Sequence, residues 1–167
     1  MAEIIKTYRQ SMAATRFIGK KYTNSDRIDG GFGVKWDEWH TNGWFDVIEK
    51  QVSGSMMGIC EDGNAQVALM CAENGDFAYR IGYFTPENTP VPEGYEHIDF
   101  PKSELGICWV YGKEHEVFML EGQCGERLKA DGFEVSDDWC LERYVCPRFT
   151  TPDEKGNITL DICFFLK

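Results

Sequence analysis

Apolar residues along the chain fall into runs of two kinds, and the order of the runs repeats. Met12–Tyr22 reads as a strand, followed by the polar turn Thr23-Asn24-Ser25-Asp26. Over 33–50, Trp36, Trp39, Phe45 and Ile48 fall at helical spacing, with a break expected at Asn42-Gly43. Ala65–Ala72 reads as a strand, Asn74-Gly75-Asp76 as a hairpin turn and Phe77–Phe84 as the return strand. Pro86, Pro90, Pro92 and Pro101 follow, and a stretch so short of backbone donors reads as a linker over 85–104. The order then recurs. Leu105–Tyr111 is a strand, and residues 115–130 place Val117, Leu120, Cys124 and Leu128 on one helical stripe that Gly132 ends. Trp139–Val145 and Ile158–Leu166 are strands joined through a turn over 151–157. Each half is thus β-α-β-β.

The two halves also echo each other in their residues. Phe77–Phe84 and Ile158–Phe165 match apolar position for apolar position. Two such units, about 12–84 and 105–167, predict an α+β fold. Two helices pack on one face of an antiparallel sheet in a single domain over 1–167.

Composition narrows the partners. Seventeen Lys+Arg against 28 Asp+Glu leave a net charge of −11. That argues against direct nucleic-acid binding, which needs a basic face, and against an anionic membrane surface. No apolar run is long enough to span a bilayer, and the N-terminus lacks the pattern of a signal peptide, so the expected location is cytoplasmic. Seven cysteines, an odd number with no CxxC pair, read as reduced thiols without a disulfide. His40, His97 and His115 form no ligand pair, and Gly30-Gly31-Phe32-Gly33 lacks the Lys-Ser/Thr of a phosphate loop. Neither a metal nor a cofactor is expected, and the glycine run reads as a turn before a helix.

Two constellations could carry chemistry. In Trp139–Cys146, alternation puts Cys140, Glu142, Tyr144 and Cys146 on one face and Trp139, Leu141 and Val145 on the other. The second set reads as the side facing the helices. Glu142 among cysteines and a tyrosine would be partly desolvated, with a raised pKa suited to proton transfer or to recognising a cation. A solvated strand glutamate is the alternative. The second constellation is aromatic: Trp36, Trp39, Tyr79, Trp109 and Tyr111 are candidates to wall a site for flat or cationic organic molecules, and core filling is the alternative for each. Trp109 and Tyr111 share a strand face and stand or fall together. The matching first-half strand, Val67–Cys71, carries no acid, so the site would be single.

The ending Trp139-Cys140-Leu141-Glu142-Arg143-Tyr144, then Asp161-Ile162-Cys163-Phe164-Phe165, together with Tyr79-Arg80-Ile81-Gly82 and the βαββ order, resembles the GyrI-like small-molecule-binding domains. These are also the effector-binding domains of some AraC-type and MerR-type regulators. The resemblance covers about Tyr8 to Lys167. Cys163 stands where a last-strand tyrosine is common in the family. The resemblance implies a pseudo-two-fold fold with a ligand cleft between the repeats, and a buried glutamate that contacts lipophilic, often cationic, compounds. No helix-turn-helix precedes the domain, so a DNA-binding regulator would be a separate partner. The expected function is that of a stand-alone domain binding a small lipophilic organic ligand, cations included. Two alternatives remain: a hydrolase of a reactive small molecule using Glu142 and Tyr144, and a protein-interaction module acting on a regulator or a topoisomerase.

Overall fold

A computed structural model describes residues 1–167. Eight strands form one antiparallel sheet: β1 (Glu3–Met12), β2 (Thr15–Thr23), β3 (Gln66–Glu73), β4 (Asp76–Pro86), β5 (Glu96–Phe100), β6 (Ser103–Gly112), β7 (Val135–Tyr144) and β8 (Ile158–Leu166). Between β2 and β3 lie helices α1 (Gly33–Thr41) and α2 (Trp44–Glu49). Between β6 and β7 lie α3 (Glu114–Val117) and α4 (Glu121–Ala130). The order across the sheet is β1-β6-β8-β7-β3-β4-β2-β5. The two halves meet where β3 pairs with β7, Leu69 opposite Leu141 and Ala68 opposite Glu142.

The helices cover one face only. Trp39, Phe45 and Ile48 from α1 and α2, with Val117, Cys124 and Leu128 from α3 and α4, pack on Ile18, Ala68, Ile81, Val110 and Ile162. The other face closes on itself. The strand order puts β1 at one edge of the sheet and β2 and β5 at the other. Yet Ala13-Ala14 alone joins β1 to β2, and Pro101-Lys102 alone joins β5 to β6. Such links reach only about 10 Å, so the sheet must curl until its edges approach. The curl brings Phe100 of β5 to a 5.0 Å stack on Phe165 of β8 and edge-on to Trp139 of β7 at 5.4 Å. A second core of Phe17, Leu69, Phe84, Ile107 and Leu141 fills this inner face. Central strands such as β6 and β8 are therefore dry on both sides and read as nearly continuous apolar runs. The curl requires close backbone contact at Gly19 and Gly82, which face each other between β2 and β4. A Cβ on Gly82 would run into the Ile18 carbonyl oxygen.

One buried ionic cluster ties a loop to this inner face. Asp161 is fully buried and accepts from Arg143 Nη2 at 2.8 Å and from Arg148 Nη2 at 2.6 Å. Arg143 Nη1 also donates to Gln10 Oε1 at 2.6 Å, and Arg148 Nη2 to Asp62 Oδ2 at 3.0 Å. Two guanidinium groups bonded to one buried carboxylate leave it well satisfied. They also anchor the segment after β7.

Four expectations need correction. A strand precedes the expected first one: β1 occupies 3–12, and the expected Met12–Tyr22 strand begins at Thr15 as β2. β1 is an edge strand with five exposed residues, so its alternation is weak. The stretch 85–104 holds β5, because 96–100 is free of proline and an edge strand needs partners on one side only. The helix over 115–130 is broken at 118–120, which turns Phe118 toward the Tyr144 and Phe149 rings. Finally, the helices lie over the face of Cys140, Glu142 and Tyr144. Trp139 and Leu141 face the inner core instead. Both faces are covered, so alternation sorts the residues into two sets without telling which set meets the helices.

Candidate functional site

The helices cover the two flanks of the sheet and leave the middle, at the β3–β7 seam, open as a cavity of about 1280 Å³. That is large for a small-molecule site. Glu142 and Tyr144 project into it from β7, Tyr79 and Tyr83 from β4, and Met70 from β3. Trp36 enters from α1, and Phe118 and Phe149 close the far side from the α3–α4 junction and the loop after β7.

The rings are tied to one another. Phe32 lies flat on Tyr79, centroids 4.0 Å apart at 7°. Trp36 meets Tyr144 edge-on at 4.8 Å, and Phe149 meets it at 4.9 Å. A polar thread runs through them. Trp36 Nε1 donates to Tyr79 Oη at 2.8 Å, and Tyr144 Oη donates to Glu142 Oε2 at 3.4 Å. The Tyr79 and Tyr144 hydroxyls are close enough to influence each other's ionisation. An indole N–H can only donate, so Trp36 donates to Tyr79, and when Glu142 is ionised its carboxylate can only accept from Tyr144.

Glu142 has no cationic partner. Burial, first, and the Glu121 charge, second, push its carboxyl up to about 8, against a downward pull from the Tyr144 hydroxyl. Tyr144 itself is pushed well above the usual phenol range by burial and then by Glu142. Burial, and after it Glu142, act on Tyr79 in the same direction. Around the cavity stand Asp37, Asp62, Glu114, Glu121 and Glu142, with Arg27 the one guanidinium or ammonium group in the lining. Acidic groups thus outnumber cations in the lining, with Asp62 paired to Arg148, and the walls are aromatic.

Of the residues singled out from the sequence, Glu142, Tyr144, Trp36 and Tyr79 are brought together here. Trp39 lies behind them, fully buried, donating from Nε1 to Tyr22 Oη at 2.9 Å and packing on Trp44, Phe45 and Tyr95. Trp109 faces the inner side of the curl, between the Lys6 ammonium at 4.5 Å and the Arg148 guanidinium at 4.6 Å, and donates to Tyr8 Oη. Tyr111, on the same strand face, gives its hydroxyl to Asp153 at the sheet margin. Both stand outside the cavity because β6 turns its other parity, Cys108 and Val110, toward the helices. Phe32, Phe118, Phe149 and Glu121 were not singled out. Phe32 sits in the glycine-rich turn and Phe118 in the helix break, where no periodicity marks the side that faces inward.

No protein-family model matches the chain, and no curated protein sequence matches it. Solved structures do resemble it. A Staphylococcus aureus protein, provisionally described as a bacterial transcription regulation protein, is 14% identical with a TM-score of 0.66, over 98% of this chain and 99% of its own. The protein SAV2435, solved bound to tetraphenylphosphonium, is 15% identical with a TM-score of 0.68, over 98% of this chain and 94% of its own. A hydrolase from Listeria innocua is 7% identical with a TM-score of 0.55, over 97% of this chain and 92% of its own. At these identities the likeness is one of fold. No helix of the chain is long and apolar enough to cross a membrane.

Proposed function

We propose that this chain is an effector-binding domain of the GyrI-like kind that takes a small lipophilic organic molecule, aromatic cations included, into the cavity at the β3–β7 seam. The observation that carries this reading is an unpaired carboxylate, Glu142, set among stacked and edge-on rings in an acidic cavity. A quaternary or delocalised cation brings a weakly hydrated charge. It gains cation–π contact from Tyr79, Tyr144 and Trp36, and it restores a partner to a carboxylate that water no longer serves well. The fold is shared with a protein solved holding tetraphenylphosphonium, a molecule of this class.

The same reading treats 1–167 as one domain of two βαββ units related by a pseudo-two-fold axis between Leu69 and Leu141. Each unit contributes strands in the order first, third, second counted inward from its flank, which is what such an axis requires. The axis would make Met70 the symmetry counterpart of Glu142, so only one half supplies the acid. The acidic balance of −11 supports placing any DNA contact outside these residues.

A second reading rests on the Tyr144–Glu142 hydrogen bond. Glu142 would act as base on a water and Tyr144 as donor to a developing oxyanion in the hydrolysis of a reactive electrophile. A hydrolase shares the fold. The two readings separate in one experiment. Calorimetric titration with tetraphenylphosphonium should give saturable binding that Glu142→Gln weakens by about 2–4 kcal/mol once the carboxyl is ionised. Equal affinities in the two proteins would remove the binding reading, and turnover of an epoxide or cyclopropane panel that Glu142→Gln abolishes would install the second.

A further inference from the structure

We infer that Arg27 is a built-in competing cation of the cavity, and that it sets how strongly the site prefers charged over neutral aromatic ligands. This inference rests on the binding reading above and assigns a specificity residue to it.

Arg27 belongs to the cavity lining. Its guanidinium lies 4.7 Å from the Phe32 ring centroid and 5.1 Å from that of Phe77. Phe32 in turn lies flat on Tyr79. Cation, ring and ring are thus stacked in series against the cavity wall, the arrangement an aromatic cation would itself make with Tyr79. The chain supplies this stack from one short loop. Ile28 and Gly31 pair across a two-residue turn at Asp29-Gly30, where both residues have positive φ, 52° and 81°. Arg27 is held by its sequence neighbours, donating from Nε to Asn24 Oδ1 at 2.9 Å and from Nη1 to the Gly30 carbonyl at 3.1 Å. None of the cavity carboxylates shares a hydrogen bond with it.

Two consequences follow for an incoming ligand. The Arg27 charge reaches the Tyr79 hydroxyl and so opposes a second positive charge in the same cavity, an effect that solvent screens in part because Arg27 is itself exposed. Arg27 also occupies the outer faces of Phe32 and Phe77, which would otherwise add cation–π contact. Both effects act on cations. A neutral aromatic of similar shape meets neither the repulsion nor a competitor for charge.

The test compares tetraphenylphosphonium with the neutral triphenylphosphine oxide by calorimetric titration against wild type, Arg27→Gln, Arg27→Lys and Glu142→Gln, each first checked by thermal melting. Arg27→Gln should bind the phosphonium roughly two- to fivefold tighter and leave the neutral ligand unchanged. Arg27→Lys keeps the charge and should stay near wild type. Unchanged or weaker phosphonium binding in Arg27→Gln, or an equal shift for both ligands, overturns the inference. Tighter binding by wild type than by Arg27→Gln of an aromatic carboxylate, with phosphonium affinity unmoved, would make Arg27 an anion anchor and overturn it equally. If Glu142→Gln leaves phosphonium affinity unchanged at pH 8.5, the binding reading itself falls. If Glu142→Gln weakens it and Arg27→Gln does nothing, only the role of Arg27 falls.

Discussion

The raised pKa of Glu142 makes cation binding an exchange with a proton. With the carboxyl at about 8, an empty cavity at pH 7 holds Glu142 protonated in roughly nine molecules of ten. A cation pairs only with the ionised form, so each bound cation should expel close to one proton at pH 7. Its apparent affinity should rise about tenfold per unit from pH 6 toward pH 8 and level off above. Glu142→Gln has no proton to lose. Its affinity should be flat with pH, near the wild-type value at pH 6 and far below it at pH 8.5. Stability moves the other way. A carboxyl whose folded pKa lies above its unfolded value of 4.5 binds an extra proton in the fold between those limits, so stability falls as pH rises through that window, by up to about 1.4 kcal/mol per unit. Discounted for the open side of the cavity, the loss by pH 8.5 is on the order of 3 kcal/mol, and Glu142→Gln should escape it. Titration calorimetry in phosphate and in Tris measures the released proton directly from the difference in observed enthalpy. Identical enthalpies in the two buffers at pH 7, or phosphonium affinity level across pH 6–9 in wild type, would refute the linkage.

Three further outcomes follow from named contacts. Tyr144→Phe removes the hydroxyl that holds the Glu142 pKa down, so the midpoint of the pH–affinity curve should move upward, read from the same titrations. Asp161→Asn leaves Arg143 and Arg148 buried beside a neutral amide and should cost about 3–5 kcal/mol in urea unfolding, with phosphonium affinity reduced as the Phe149 segment loosens; a loss under 1 kcal/mol would contradict the account of the cluster. Gly82→Ala forces a Cβ against the Ile18 carbonyl and should lower stability by more than about 2 kcal/mol, whereas Gly122→Ala, where a Cβ meets open space inside α4, should hold or raise it.

Much of the architecture was legible because alternation and turn chemistry are local. The helix break at Asn42-Gly43 could be read from the residues, since Gly43 takes a positive φ there. The hairpin at Asn74-Gly75 could be read for the same reason, both residues having positive φ. β1 and β5 were not legible: edge strands are half exposed and owe their place to partners far away in sequence, Tyr111 for Glu3 and Thr15 for Phe100. The pairing of Trp109 with Tyr111 was legible as well. Which face of β6 would meet the helices was not.

By itself, then, the sequence determined the order of the six inner strands and the helical segments between them, the sharing of one strand face by Glu142 and Tyr144, and the acid's presence in one half only. Parity and composition are properties of a segment and do not depend on what packs against it. The tertiary structure decided which face the helices would cover, because the sheet curls and dries both faces, so an apolar set no longer marks the helix side. It also decided that Phe32, Phe118 and Phe149 would wall the cavity while Trp109 and Tyr111 would not. Those rings come from a turn, a helix break and a loop, and only long-range closure of the sheet brings such segments to one place.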